Sequence, residues 1–165
     1  MENLVYNRTA EDVSAAKEII KRIASGTASA EDVSAFLSGL KGAYTAEDMN
    51  RVGAAYADAS AMLGDVGISA PVLAKTDWSE NDMQFEGDWD ARFSEYIQNI
   101  KTVRAAIGFF PNTPEAPDDV ANFKDANDIE KILYDFFILH SRIGKSSKEC
   151  GSANAICGLN GGLLI

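Results

Sequence analysis

The sequence has few of the residues that usually carry catalysis or bind metals. Its 165 residues include one histidine, His140, and two cysteines, Cys150 and Cys157. Without a CxxC pair, these residues are too few to form a structural zinc site. His140 ends an apolar helical stretch, where a histidine is more often a surface or partner contact than a general base. Because glycine-rich phosphate-binding motifs are also lacking, we predict a protein that is not an enzyme, with no cofactor and no metal.

Long apolar runs are missing as well. No stretch of 18 or more apolar residues occurs, which predicts that the chain does not span a membrane. The first residues have neither the basic region nor the apolar region of a secretory signal, so we expect synthesis in the cytosol. Two cysteines in that setting are most simply reduced thiols, although a local or intermolecular disulfide is an alternative.

Positive charge is scarce. Against 25 Asp and Glu there are 15 Lys and Arg, which gives a formal net charge of −10. Binding to nucleic acid without sequence preference depends on clustered Lys and Arg, and so does adsorption to an anionic membrane. We therefore expect neither direct nucleic-acid binding nor membrane binding. The length and the 46% share of hydrophobic residues are typical of one globular domain, or of one domain with an arm.

Charge is completely absent from the C-terminal segment. Residues 150–165 contain no Asp, Glu, Lys or Arg, and the sequence ends in Leu-Leu-Ile. Disordered segments are poor in such residues, so we predict that this arm packs against protein, either its own domain or another subunit. The candidate partner-binding residues of the arm are Ile156, Leu159, Leu163, Leu164 and Ile165.

A repeated helix-start signal dominates the remainder of the chain. The pattern hydroxyl-Ala-Glu-Asp occurs at Thr9–Asp12, Ser29–Asp32 and Thr45–Asp48, and each copy places an N-cap and two acids in a first helical turn. Apolar residues follow each copy at helical spacing, as they do at about 89–108 and 125–143. The sequence thus predicts an all-α fold, a compact bundle of about five helices whose apolar stripes together form the core. Gly144 is the expected C′ residue of the fifth helix, so the predicted division is a helical domain at 1–143 and a glycine-rich, uncharged, extended arm at 144–165.

Two long loops, at 64–88 and 109–124, separate the later helices. They contain large aromatic residues where polar residues are usual, among them Trp78, Phe109 and Phe110. Such residues either cover the core from outside or anchor a partner, and we take these three as candidate partner-binding residues. The acidic stretch 77–90 has oxygen ligands at EF-hand-like spacing. Because Asp82 stands where that loop needs glycine, we interpret the stretch as a solvated acidic loop.

Several stretches, in order along residues 4–140, resemble a family of structural proteins of tailed bacteriophages and prophages. Those stretches are Leu4–Thr9, Lys41–Val52, Lys75–Trp78, Tyr96–Ile100, Pro111–Pro114 and Ala126–Leu133. The resemblance implies a virion protein of the tail or baseplate region, with a binding or assembly role and no catalytic residues. It does not extend to the uncharged arm.

The resemblance and the charge pattern together give a leading hypothesis. The chain is a virion structural protein of the tail or its attachment apparatus, made in the host bacterial cytoplasm. It forms a homo-oligomer and docks to other virion subunits through loop aromatics and through an arm inserted into an adjacent subunit. One alternative is a host-surface recognition module that binds glycan or protein through Trp78, Trp89 and the acidic loop. Another is a helical cell-wall-degrading enzyme.

Overall fold

A computed structural model describes residues 4–65, 67–70, 75–80, 82, 89–108 and 110–149, without the side chains of 89, 90 and 144–149. The described residues form helices and contain no strand, so the predicted all-α fold with five helices is confirmed. Phe109 and the whole of 150–165, including Ile156, Leu159, Leu163, Leu164 and Ile165, lie outside the described residues. The helices are α1 (Ala10–Ala24), α2 (Ala30–Leu37), α3 (Ala46–Asp65), α4 (Trp89–Ile107) and α5 (Phe123–Glu149).

The three hydroxyl-Ala-Glu-Asp patterns start the first three helices, as predicted. Thr9 and Ser29 each form a capping box with the aspartate three residues later. At α3, the Thr45 backbone N–H donates to Asp48 at 2.8 Å, and the Asp48 backbone N–H donates to the Thr45 hydroxyl. These bonds satisfy backbone donors that have no partner within the helix, and the acids favour its positive end.

The core is built by three of the five helices. Helix α5 packs against both α3 and α4, and α3 also packs against α4. Their buried faces follow the i, i+3, i+4 spacing that the sequence displays, because each helix turns one apolar stripe inward. The buried apolar residues include Met49, Val52, Tyr56, Ala59 and Leu63 of α3, Tyr96, Ile97, Ile100, Val103 and Ile107 of α4, and Ile129, Ile132, Leu133, Phe136 and Phe137 of α5.

Helices α1 and α2 do not contribute to that core, contrary to our prediction. They pack chiefly against each other as a helical hairpin. Ala16 is the buried residue of α1, and every residue of α2 is at least partly exposed. The prediction failed because helical periodicity identifies an apolar face but not the surface that covers it.

The fifth helix is longer than predicted. It continues through Gly144 to Glu149, so Gly144 lies inside the helix and is not its C′ residue. One glycine costs a helix only about 1 kcal/mol, which does not by itself end it. Helical structure therefore crosses the predicted boundary at 144.

A substitution at Gly42 tests how closely the chain after α2 packs against the start of α1. A Cβ atom built on Gly42 would lie 2.0 Å from the backbone oxygen of Asp12, so the chain after α2 touches the start of α1 backbone to backbone. We expect Gly42→Ala to lower the free energy of unfolding by about 1–3 kcal/mol, because the two backbones must separate.

The matched control for Gly42→Ala is Gly64→Ala, in the last turn of α3. A Cβ atom there would meet nothing within 4 Å, and alanine favours helix, so stability should stay equal or rise by about 0.5–1 kcal/mol. Urea unfolding followed by circular dichroism measures both variants. Equal stabilities for the two would contradict the close approach at Gly42.

Candidate functional site

Trp78, one predicted partner anchor, is a core residue. Its side chain is only 4% exposed, and its ring meets the edge of Tyr96 at 6.4 Å between centroids. The side chain of Asn50 fixes the Trp78 backbone to α3, since it donates to the Trp78 carbonyl at 2.9 Å and accepts from its N–H at 2.6 Å. We therefore correct the prediction for Trp78, which covers the core and is not available to anchor a partner.

Phe110, the other described aromatic candidate, is half-buried and packs on the edge of the core. It lines an open hollow of about 650 Å³ beside Arg104 and Glu115, and its role as a partner contact stays a prediction. In the acidic stretch, Asp77 and Asp82 form ion pairs with basic side chains. No group of three or more His, Cys, Asp or Glu suited to a metal ion occurs among the described residues.

The hairpin carries an exposed apolar surface that we did not predict as a site. Ile20, Val33 and Phe36 are 42% to 45% exposed, and Leu37 is 78% exposed. Isolated exposed apolar residues are ordinary, but a contiguous group of large ones marks a contact surface. We call these four residues the α1–α2 apolar surface. The sequence holds a signal for it, because α2 is only eight residues long and has a complete apolar stripe.

A groove adjoins this surface where the hairpin meets the start of α3. Its volume is about 340 Å³. Glu47 and Glu80 stand at its margin and disfavour an acidic occupant, so the groove suits an uncharged apolar segment. The apolar residues that line it are Ile20, Phe36, Leu37, Leu40, Ala43 and Ala46.

Two ion pairs fix the geometry of the hairpin. The Arg22 guanidinium donates to both carboxylate oxygens of Asp32, at 2.8 and 2.6 Å, and so joins α1 to α2. Lys41 lies 2.9 Å from the Asp12 carboxylate. The Arg22 guanidinium, followed by the Ser29 backbone N–H, holds the pKa of Asp32 well below its usual range. Lys41 and the Thr9 backbone lower the pKa of Asp12 in the same way. The hairpin is therefore a defined support for its exposed apolar residues.

A buried charge network holds the start of the hairpin to the core. Arg8 donates to Asp48 at 2.8 Å and lies 2.9 Å from Glu130 of α5, which is fully buried. Arg51 of α3 also pairs with Asp48 and donates to Glu130 at 2.9 Å. Two arginines thus compensate two carboxylates. Buried charges are tolerated only with such partners.

Backbone contacts extend the same attachment. Asn127 of α5 accepts from the Arg8 N–H at 2.9 Å and donates to the Arg8 carbonyl at 2.8 Å. The Val5 N–H donates to the Glu130 carboxylate. Because α1 begins two residues after Arg8, these bonds place the hairpin relative to α5.

Neither a protein-family model nor a curated protein sequence nor a solved structure matches this chain. In the described part of the chain, no helix combines the length and the apolar character needed to cross a bilayer.

Removal of one charge tests the network. We expect Glu130→Gln to lower the free energy of unfolding by about 3–5 kcal/mol, because Arg8 and Arg51 would then share one carboxylate in a buried site. Glu115→Gln is the matched control, since Glu115 pairs with Arg104 on the surface and is almost fully exposed. Its expected cost is about 0–1 kcal/mol. Chemical denaturation measures both, and a loss below about 1 kcal/mol for Glu130→Gln would show that the network contributes little.

Proposed function

We propose that this chain is a structural and assembly protein of a tailed-bacteriophage virion, in the tail or its attachment apparatus. The observation that carries the proposal is the α1–α2 apolar surface, which is exposed on a hairpin joined by two ion pairs. Such a surface suits permanent contact with another subunit. The resemblance of the stretches between Leu4 and Leu133 to phage structural proteins supplies the class of assembly.

The charge distribution indicates which part of a second copy occupies the groove. The helical body carries the whole net charge of −10, so two bodies repel each other when they approach directly. Residues 150–165 have no charge and include five large aliphatic residues. This arm can therefore bury apolar side chains beside Glu47 and Glu80 without placing like charges together.

The length of the arm is sufficient for this contact. Glu130 lies at the hairpin end of α5, and the 19 residues from there to Glu149 extend the helix by about 28 Å. Sixteen further residues span up to about 55 Å when extended. Because the described helix ends at Glu149, about 28 Å from Glu130, we assign the groove to the arm of a neighbouring copy.

Two changes test this contact in solution. We expect the intact chain to show a mass that rises with concentration, and both Leu37→Asp and deletion of 150–165 to give monomers. The reason is that each change removes one side of an apolar contact. Light scattering coupled to size-exclusion chromatography measures the masses.

Ser34→Asp is the control for Leu37→Asp. Ser34 lies in α2 and is exposed, so its substitution adds the same charge outside the α1–α2 apolar surface and should leave association intact. A monomeric intact chain, including one whose arm folds onto its own groove, would contradict exchange between copies. Equal effects of the two aspartate variants would contradict the assigned surface.

The virion assignment has its own test. Particles produced by a host that carries this coding sequence should contain the chain at a fixed copy number by quantitative mass spectrometry, and Leu37→Asp should lower it. Purified particles that lack the chain would overturn the assignment.

A further inference from the structure

A partly enclosed cavity lies between α3, α4 and the segment around Trp78. Its volume is about 150 Å³, which is room for a small organic group. Gly53 makes this arrangement possible, because a Cβ atom there would lie 2.3 Å from the Lys75 carbonyl oxygen. The cavity walls are mainly apolar, with Val52 and Ile100 fully buried beneath it.

Two polar groups at this cavity have hydrogen-bonding capacity left over. Asn99 is only 7% exposed, yet its carboxamide makes no hydrogen bond to the described part of the chain. The buried Nε of Arg92 likewise has no hydrogen-bond partner among the described residues. Buried polar groups are nearly always bonded, so the buried Arg92 Nε in particular calls for a partner. Both groups line the same cavity, so one ligand can satisfy both.

The charges around the cavity favour a neutral ligand. Lys75 and Arg92 are compensated, since each lies 2.7 Å from an aspartate oxygen, of Asp77 and Asp82 respectively. The Ser79 backbone N–H, the Ser79 hydroxyl and then Arg92 lower the pKa of Asp82 to about 2, so this compensation persists at neutral pH. Lys75, Arg92 and Glu95 place both signs of charge in the lining, so neither an anion nor a cation is preferred.

We propose that this cavity binds the acetamido group of an N-acetylated amino sugar. The carbonyl oxygen of the acetamido group accepts from the Nε–H of Arg92 and from the side-chain NH2 of Asn99. The N–H of the acetamido group donates to the side-chain oxygen of Asn99 or to the Glu95 carboxylate. The methyl group packs against Val52 and Ile100. A secondary amide with a small apolar cap matches this combination of donors, acceptors and apolar wall, whereas a hydroxyl lacks the cap. This binding is independent of the proposed assembly role.

Asn99→Leu provides the main test, because leucine keeps the number and branching of the side-chain heavy atoms and removes the carboxamide. Saturation-transfer NMR with N-acetylglucosamine should show transfer to the acetyl methyl for the intact chain, and at least a tenfold weaker effect for Asn99→Leu. Glucose and glucosamine, which lack the acetyl group, should show no saturation transfer. Since Asn99 makes no hydrogen bond to the described residues, the melting temperature of Asn99→Leu should be unchanged or higher.

Gln98→Leu is the control. It also replaces a carboxamide with leucine, at the exposed neighbour on α4, and should bind like the intact chain. Arg92→Lys keeps the charge but removes the Nε donor, and should weaken binding about tenfold, the value of one hydrogen bond. The proposal is overturned by any of three results: no transfer with N-acetylglucosamine, equal transfer with glucose, or full binding by Asn99→Leu. A melting temperature that falls for Asn99→Leu but not for Gln98→Leu would give Asn99 a structural role and would also overturn the proposal.

Discussion

The fully buried carboxylate of Glu130 is the constraint on which the arrangement of this protein depends. It lies where α3, α5 and the segment before α1 meet, and it contacts Arg8, Arg51 and the Val5 backbone. A carboxylate without water is stable only among such partners, so the segment before α1 must stay on α5 to supply Arg8. This requirement, together with the Asn127 bonds to the Arg8 backbone, sets the position of the hairpin and of the α1–α2 apolar surface.

Much of the fold could be predicted because its signals are local. Thr9, Ser29 and Thr45 each start a helix through bonds that reach only three residues along the chain. The stripes of α3, α4 and α5 likewise identify their own buried faces. The pairing of Arg8 with Glu130 could not be predicted, since it joins residues far apart in sequence. The predicted α5 is too short because the cost of one glycine, Gly144, is too small to end the helix.

The candidate sites depend on tertiary contacts, so sequence reasoning located them poorly. An aromatic residue in a loop has the same sequence pattern whether it anchors a partner or belongs to the core. Trp78 is held in the core by hydrogen bonds between its backbone and the side chain of Asn50, a residue far away in the sequence. The apolar stripe of α2 and its length of eight residues are visible in the sequence, but no local pattern shows whether another surface covers that stripe. Asn99 carries no signal in the sequence, because its significance arises only from burial beside the cavity.

A double-mutant cycle between Arg8 and Glu130 tests the central claim most directly. Arg8→Met, Glu130→Met and the double variant replace the charges with apolar side chains, and urea unfolding gives the free energy of each. Each variant is expected to have a lower free energy of unfolding than the intact chain. If the pair fixes the segment before α1 to the core, the decrease in the double variant should be smaller than the sum of the two single decreases by at least about 1 kcal/mol. Losses that add within about 0.5 kcal/mol would contradict the account, because Arg8 and Glu130 would then act independently.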